Sequence, residues 1–334
     1  MLAPKTTIGD VIGQWADDAP DAPALQSRFA RPASYGTIAA LIDDTRAFLA
    51  ERGIGSGDRI AIIISEPARA MAIYLGVMNA AVAVPMNPES TEFELESLFR
   101  ELDVSGVVLS EDLSVIAGIA GKTALPVFWA EQDDSGMTGS FRLSGGTGHA
   151  TARRALVKGE DIACIQTSSG TTGRAKATLQ SHEILVYRSS RDRRILELGP
   201  DDVMITFRPP YLSGPLNIGL LGALTSGGSV VVPPFFDAEQ FFDDLLEFGI
   251  TWYTGGPAYH RAILECADDF PDALARHKLR FIRSAGYALP EDMQRNLEDT
   301  FGVPCIQKYG SSEAGLVSCN PLPPGQRKIG TCGP

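Results

Sequence analysis

At 334 residues the chain is long enough for one large α/β domain or two ordinary ones. Its 44% hydrophobic and 21% charged residues are ordinary globular usage, which excludes a disordered chain and allows a sizeable core. A net charge of −12 argues against nucleic acid as a partner, since a phosphate backbone needs a basic stripe, but it leaves room for a nucleotide, which needs only a local site.

Ile8, Val11, Ile12 and Trp15 recur at helical spacing, so the chain is predicted to open with a short amphipathic helix. Ser34 reads as the N-cap of a second helix, which carries Ile38, Leu41, Ile42 and Leu49 and stops at Gly53. Arg59 to Ile64 is a nearly continuous apolar run, as expected of a parallel strand covered on both faces. A helix over about Ala68–Ala81, a strand at Val82–Val84, a helix over Thr91–Leu102 and a strand at Val104–Leu109 follow. Strands alternating with helices imply a doubly wound, mostly parallel sheet. The stretch Leu143 to Gly148, rich in Gly and Ser, reads as an exposed linker. Beyond it the rhythm restarts with a strand at Ile162–Gln166. Further segments lie at Val203–Thr206, Leu216–Leu224, Val230–Val232, Phe241–Phe248, Thr251–Tyr253, Phe281–Ile282, Glu291–Phe301 and Pro304–Lys308. The expected fold is α/β: two similar lobes of mostly parallel sheet flanked by helices, residues 1–150 and 151–334, the second carrying the chemistry.

The five cysteines (Cys164, Cys266, Cys305, Cys319 and Cys332) are odd in number and form no CxxC pair, which fits free, mostly buried thiols in a reducing compartment. Four scattered histidines give no zinc spacing. The N-terminus lacks an apolar core of signal-peptide length, and no run approaches the roughly 18 apolar residues of a spanning helix. The expectation is a soluble, cytoplasmic protein without a membrane partner.

The strand at 162–166 leads into Thr167-Ser168-Ser169-Gly170-Thr171-Thr172-Gly173-Arg174-Ala175-Lys176. Gly170 and Gly173 let backbone approach an anion with no Cβ in the way. The hydroxyls of Ser168, Ser169, Thr171 and Thr172 can donate, and successive backbone N–H groups in such a turn form an anion-binding concavity. Lys176 adds a full positive charge. The loop follows a strand, where open α/β sheets bind ligands. It is not the kinase-type P-loop, which places four residues between its glycines before Lys and Ser or Thr; here Gly170 and Gly173 enclose only Thr171 and Thr172.

This segment resembles the first core motif of the adenylate-forming superfamily, which comprises acyl-CoA synthetases, aryl-acid ligases, luciferases and peptide-synthetase adenylation domains. Ala175 stands where that motif usually has Pro, and Ala177 where it has Gly; both changes bear on loop stiffness rather than on donors. Tyr309-Gly310-Ser311-Ser312-Glu313 resembles the family's Y-G-x-T-E. The resemblance implies that Tyr309 stacks on adenine, that Ser312 approaches the α-phosphate and that Glu313 holds Mg²⁺. A carboxylate at that place could equally open a helix and answer its macrodipole. Arg283 to Pro290, with Ala285, Gly286 and Tyr287, is similar to the segment bordering adenine and the acyl group. Arg208 to Gly214 is similar to the P-L-F-H-x-x-G segment, with Leu212 in the histidine position. No Asp for a substrate amine stands near it, so a plain carboxylic acid is expected rather than an amino acid.

The implied chemistry is attack of the acid's carboxylate on the α-phosphorus of ATP, then thioesterification, with coenzyme A or a carrier-protein thiol as acceptor. The acid's tail is expected among Tyr211, Leu212, Trp252, Gly255, Gly256, Tyr259 and Tyr287, a lining that suits a bulky hydrophobic or cyclic acid, with Trp252 and Tyr259 equally open to a place in the core. His260 is read as a surface or packing residue. In the family a further β-rich part with a ribose-binding Asp, then a hinge and a small domain with a catalytic Lys, follow a segment like Gly330–Pro334. The chain is therefore expected to be the N-terminal portion of such an enzyme, weakly active or inactive by itself, with a homodimer left open. Two other readings stay open: a binding module of this fold with impaired catalysis, and a different nucleotide enzyme such as a kinase.

Overall fold

The computed structural model describes residues 6–146, 156–168 and 176–333. By contact density the chain divides into two compact units. The first is Met1–Tyr187 with Pro209–Leu216, and the second is Arg188–Arg208 with Asn217–Pro334. Both are built on mostly parallel sheets flanked by helices, as the sequence predicts.

In the first unit, helix α1 (Ile8–Asp18) starts at Thr7, whose hydroxyl accepts from Asp10 N while Asp10 accepts from Thr7 N. A hairpin, β1 (Pro23–Ser27) and β2 (Ala30–Ser34), leads into α2 (Tyr35–Glu51), capped by the predicted Ser34. There follow β3 (Arg59–Ile63), α3 (Pro67–Met78), β4 (Val82–Pro85), α4 (Glu92–Glu101), β5 (Gly106–Ser110), α5 (Ser114–Lys122), β6 (Val127–Glu131), β7 (Arg142–Gly145), β8 (Ile162–Ser168), β9 (Lys176–Ser181) and α6 (His182–Leu196), which crosses into the second unit. The sheet order is β7-β6-β5-β3-β4-β8-β9, parallel except at its two edges, β7 and β9. β4 and β5 are buried along their whole length, the mark of central parallel strands. Ile63, Val84, Leu109 and Ile165 pack with Leu95 and Phe99 of α4 and Ile116 and Ile119 of α5.

Two expectations are corrected here. The predicted linker begins as a strand: Arg142–Gly145 pairs antiparallel with β6, and Leu143 is buried. Its glycines mark an edge, and residues 147–148 lie outside the described residues. The boundary near residue 150 is displaced as well. β8 pairs with β4 through Cys164 and Ala83, so the strand that enters the phosphate loop belongs to the first unit. A Gly/Ser-rich run shows where chain is exposed, not which sheet the next strand joins.

The second unit holds β10 (Val203–Ile205), β11 (Ser229–Val231), α7 (Ala238–Glu247), β12 (Trp252–Gly255), α8 (Pro257–Cys266), α9 (Pro271–Arg276), β13 (Phe281–Ser284), α10 (Glu291–Phe301), β14 (Cys305–Ser311) and β15 (Gly315–Cys319). Its strands run β15-β14-β13-β12-β10-β11, parallel except for β15. Phe241, Phe242 and Leu245 of α7, Ile263 of α8 and Leu297 of α10 cover Ile205, Tyr253 and Ile282. The thiols are free; Cys164 and Cys305 are buried, while Cys266, Cys319 and Cys332 are only half-buried. No helix among the described residues is long and apolar enough to cross a membrane.

Candidate active site

In the first unit, β8 delivers Thr167 and the backbone of Ser168 to the carboxyl end of the sheet, and β9 brings the chain back. Thr167 faces Ala177 and Ser168 faces Lys176, so Lys176 stands at the mouth of a hairpin, exposed. The hairpin tip, with Ser169, Gly170, Thr171, Thr172 and Gly173, lies outside the described residues. Among the described residues β8 is followed by β9, and Lys176 brings a positive charge to the mouth between them. Where β9 turns into α6, buried His182 accepts from Ile8 N through Nδ1 at 3.2 Å, tying this corner to α1. Burial lowers the His182 pKa to about 4, which keeps the ring a neutral acceptor. Tyr211 and Leu212 also belong to this unit, both half-buried, in a turn where Leu212 N donates to Pro209 O at 3.1 Å.

In the second unit, Tyr309 to Glu313 shape a second hairpin. Tyr309 pairs with Ser318, Gly310 with Leu316 and Ser311 with Gly315, and Ser312 and Glu313 form the turn. β15 is absent from the sequence reading, and it removes the helix-start alternative for Glu313: the carboxylate is exposed in a turn between two strands. α6 holds this turn by its main chain. Arg188 donates to Ser312 O at 3.3 Å and to Glu313 O at 2.7 Å, and Arg191 donates to Leu316 O at 3.1 Å. The Tyr309 ring is 60% exposed, leaving a face for stacking.

Strands β12 and β13 bring Gly255, Gly256, Ala285, Gly286 and Tyr287 together at their carboxyl ends. Ala285 N donates to Gly255 O at 2.8 Å, and a Cβ at Gly256 would lie 3.3 Å from Ala285 O and 3.9 Å from the Tyr287 ring. The predicted aromatic lining fares differently. Trp252 is wholly buried and stacked on Phe281 at 5.5 Å between ring centroids, which is a core placement. Tyr259 packs edge-on to Phe236 and stacks on Phe207. Side chains in a strand alternate between faces, so an aromatic next to a glycine turn need not line it. His260 is a packing residue, fully buried, with Nδ1 3.1 Å from the Tyr253 hydroxyl.

Sequence reasoning missed three cations at the same edge. Arg208 reaches toward Gly286, where its Nη1 lies 3.8 Å from the place a Cβ would take. Arg283 is buried, and Lys308 is largely so. Burial, with Arg283 and Arg208 nearby, pushes the Lys308 ammonium down to about 8. The available signal was an arginine inside the short strand Phe281–Ser284, which should otherwise be apolar. Among the described residues no group of three His, Cys, Asp or Glu could hold a metal ion.

A family model described as AMP-binding enzyme matches residues 12–334. The sulfoacetate–CoA ligase of Cupriavidus necator is 29% identical over 98% of this chain and 64% of that protein. The oxalate–CoA ligase of Arabidopsis thaliana is 28% identical over 98% of this chain and 65% of that protein. The crystal structure of ATP-bound MatB from Rhodopseudomonas palustris superposes with a TM-score of 0.83 at 25% identity, covering 98% of this chain and 64% of that one. This chain thus spans less than two thirds of the length of each of these proteins.

Proposed function

The chain belongs to the AMP-binding enzyme family, and from that premise we propose that it serves ATP-dependent activation of a carboxylic acid as an acyl adenylate, followed by transfer to the thiol of coenzyme A. The observation that carries this reading is the pair of hairpins: Lys176 stands at the mouth of one, and in the other Tyr309 lies on β14 with Ser312 and Glu313 in the turn. Relatives that join sulfoacetate and oxalate to CoA support the same reaction class.

In the first step a carboxylate oxygen attacks the α-phosphorus, and the bond to the bridging oxygen breaks, releasing pyrophosphate. No general base is needed, because a carboxylic acid is already ionised near neutral pH. The chain's task is positioning and charge neutralisation. Thr167, Ser168 and the residues 169–173 would cradle the β- and γ-phosphates, with Lys176 supplying positive charge. Tyr309 would stack on adenine, Ala285 to Tyr287 and Gly310 to Ser311 would border it, and Ser312 would donate to the α-phosphate. Glu313 would hold Mg²⁺: an exposed carboxylate fits an ion that takes one or two carboxylates and completes its shell with phosphate and water. Bound Mg²⁺ would supply neutralisation of the phosphate charge. In the second step the thiol sulfur, having lost its proton to solvent, attacks the acyl carbon, and AMP departs.

Acid-dependent ATP–pyrophosphate exchange tests the proposal. Lys176→Ala and Glu313→Ala should each lower it about 100-fold. Rates unchanged in both variants would overturn the assignment of these residues, and release of ADP rather than AMP would overturn the reaction class. A carrier-protein thiol as acceptor would show as acyl transfer to a carrier domain with none to coenzyme A.

A further inference from the structure

In the second unit the carboxyl ends of β12 and β13 form the edge that carries Gly255, Gly256 and Ala285 to Tyr287. Ligands of open α/β sheets bind outside such ends. The charge at this edge is unbalanced. Arg283 pairs in register with Thr254 and Ile306. It is 3% exposed; Nη1 lies 3.4 Å from Thr254 Oγ1, and among the described residues Nε has no hydrogen-bond partner. Lys308 follows Ile306 by two residues on β14 and so faces the same side of the sheet. Arg208 is half-buried, its guanidinium beside Gly286. One buried carboxylate, Asp192, lies near Arg283 and Lys308, and it is already hydrogen-bonded to Arg191 at 3.2 Å. Among the described residues, Arg208, Arg283 and Lys308 have no carboxylate at ion-pair distance. Buried charges left uncompensated are unfavourable. Such a cluster at the ligand-binding edge of a sheet is in keeping with an anion that completes it.

We infer that Arg208, with Arg283 and Lys308 behind it, forms a subsite for a second anionic group on the acid, so that the substrate is a short dicarboxylate or a sulfonated carboxylate. The inference rests on the acid-activation reading above. A guanidinium meets a carboxylate or sulfonate through two parallel N–H donors, which fixes that end and leaves the other carboxylate to react. The aromatic residues that would suit a bulky apolar tail are committed elsewhere, Trp252 to the core and Tyr259 to Phe207 and Phe236. A monoacid of equal length would enter this site and leave the cations unanswered, and sites built for a polar partner reject analogues that lack it far more strongly than apolar pockets do.

Isothermal titration of the protein with matched acids tests this: malonate against propionate, succinate against butyrate, with inorganic sulfate and ATP as further probes. At least one diacid should bind about tenfold or more tightly than its monoacid. Arg208→Gln should bring the pair to within about twofold, Lys308→Met should narrow it, and Arg208→Lys should restore part of the difference. Equal binding of monoacid and diacid by the unaltered protein would overturn the inference and leave acid activation standing. Sulfate binding as tightly as the diacid would reduce the cluster to an unselective anion site and overturn it. So would an equal loss of ATP affinity in Arg208→Gln, which would give the cations to the nucleotide. Binding of no acid, together with no acid-dependent exchange, would remove the acid-activation reading itself.

Discussion

Gly310 sits where β14 bulges against β15, and a Cβ there would lie 2.1 Å from the carbonyl oxygen of Gly315 on the facing strand. No side chain fits without moving backbone, so the hairpin itself requires the glycine of the Tyr309–Glu313 motif. Gly310→Ala should cost about 1–3 kcal/mol, the usual effect of overpacking. It should lower the midpoint of a thermal melt by a few degrees, and an unchanged midpoint would contradict the close approach. At this scale the sequence was legible where the chemistry is local. Thr167 and Lys176 were picked out by residue type and spacing and face the mouth of one hairpin, while Tyr309 and Glu313 were picked out by a motif resemblance and lie on a strand and in the turn of another. Trp252 stayed open between pocket and core, because an aromatic side chain looks the same in a sequence whether it faces a ligand or a neighbouring strand, and the structure places it in the core. Arg208 and Lys308 were passed over because a lone basic residue is ordinary until its neighbours are known to be basic too.

The β14–β15 hairpin does not hold its own turn alone. In β14–β15 the turn carbonyls of Ser312 and Glu313 are gripped by Arg188 of α6. Hydrogen bonds to a charged donor contribute about 1.5–3 kcal/mol. Arg188→Ala should therefore leave the fold intact but raise the ATP concentration for half-maximal pyrophosphate exchange about tenfold. A half-saturation unchanged from the unaltered protein would mean that the turn holds its shape unaided. Arg188 touches no expected substrate atom, so it acts as a positioning residue through Glu313. The same helix begins at the other hairpin, where His182 N donates to Asp161 O at 3.1 Å and the ring accepts from Ile8 N. Helices were legible from caps and apolar spacing, as with Ser34. β15 was not, because Gly-Leu-Val-Ser-Cys is partly exposed along its length and lacks the alternation of a half-buried strand.

Each unit buries a neutral histidine, His182 in the first and His260 in the second, and burial lowers both pKa values from 6.5 to about 4. The unfolded chain therefore binds these two protons at a higher pH than the folded one. The stability that depends on the neutral rings is complete above about pH 6.5 and is lost as pH falls toward 4. The loss is on the order of 3 kcal/mol for each ring. Thermal melts should be level from pH 8 to 7 and fall steadily between pH 6.5 and 4, and His260→Gln should flatten part of that fall; midpoints constant down to pH 4 would contradict it. By itself the sequence determined the class of the fold, because strands buried on both faces must be apolar throughout and helices must show an apolar stripe. It also singled out the segment 167–176 and, through a family resemblance, the Tyr309–Glu313 motif, because each is contiguous in the chain. Only the tertiary structure decided that β8 joins the first sheet, that Arg188 clamps the Glu313 turn, and that Arg208, Arg283 and Lys308 meet at one edge. Those facts depend on which strands share hydrogen bonds, and residues as far as 125 positions apart carry no local pattern that announces their contact.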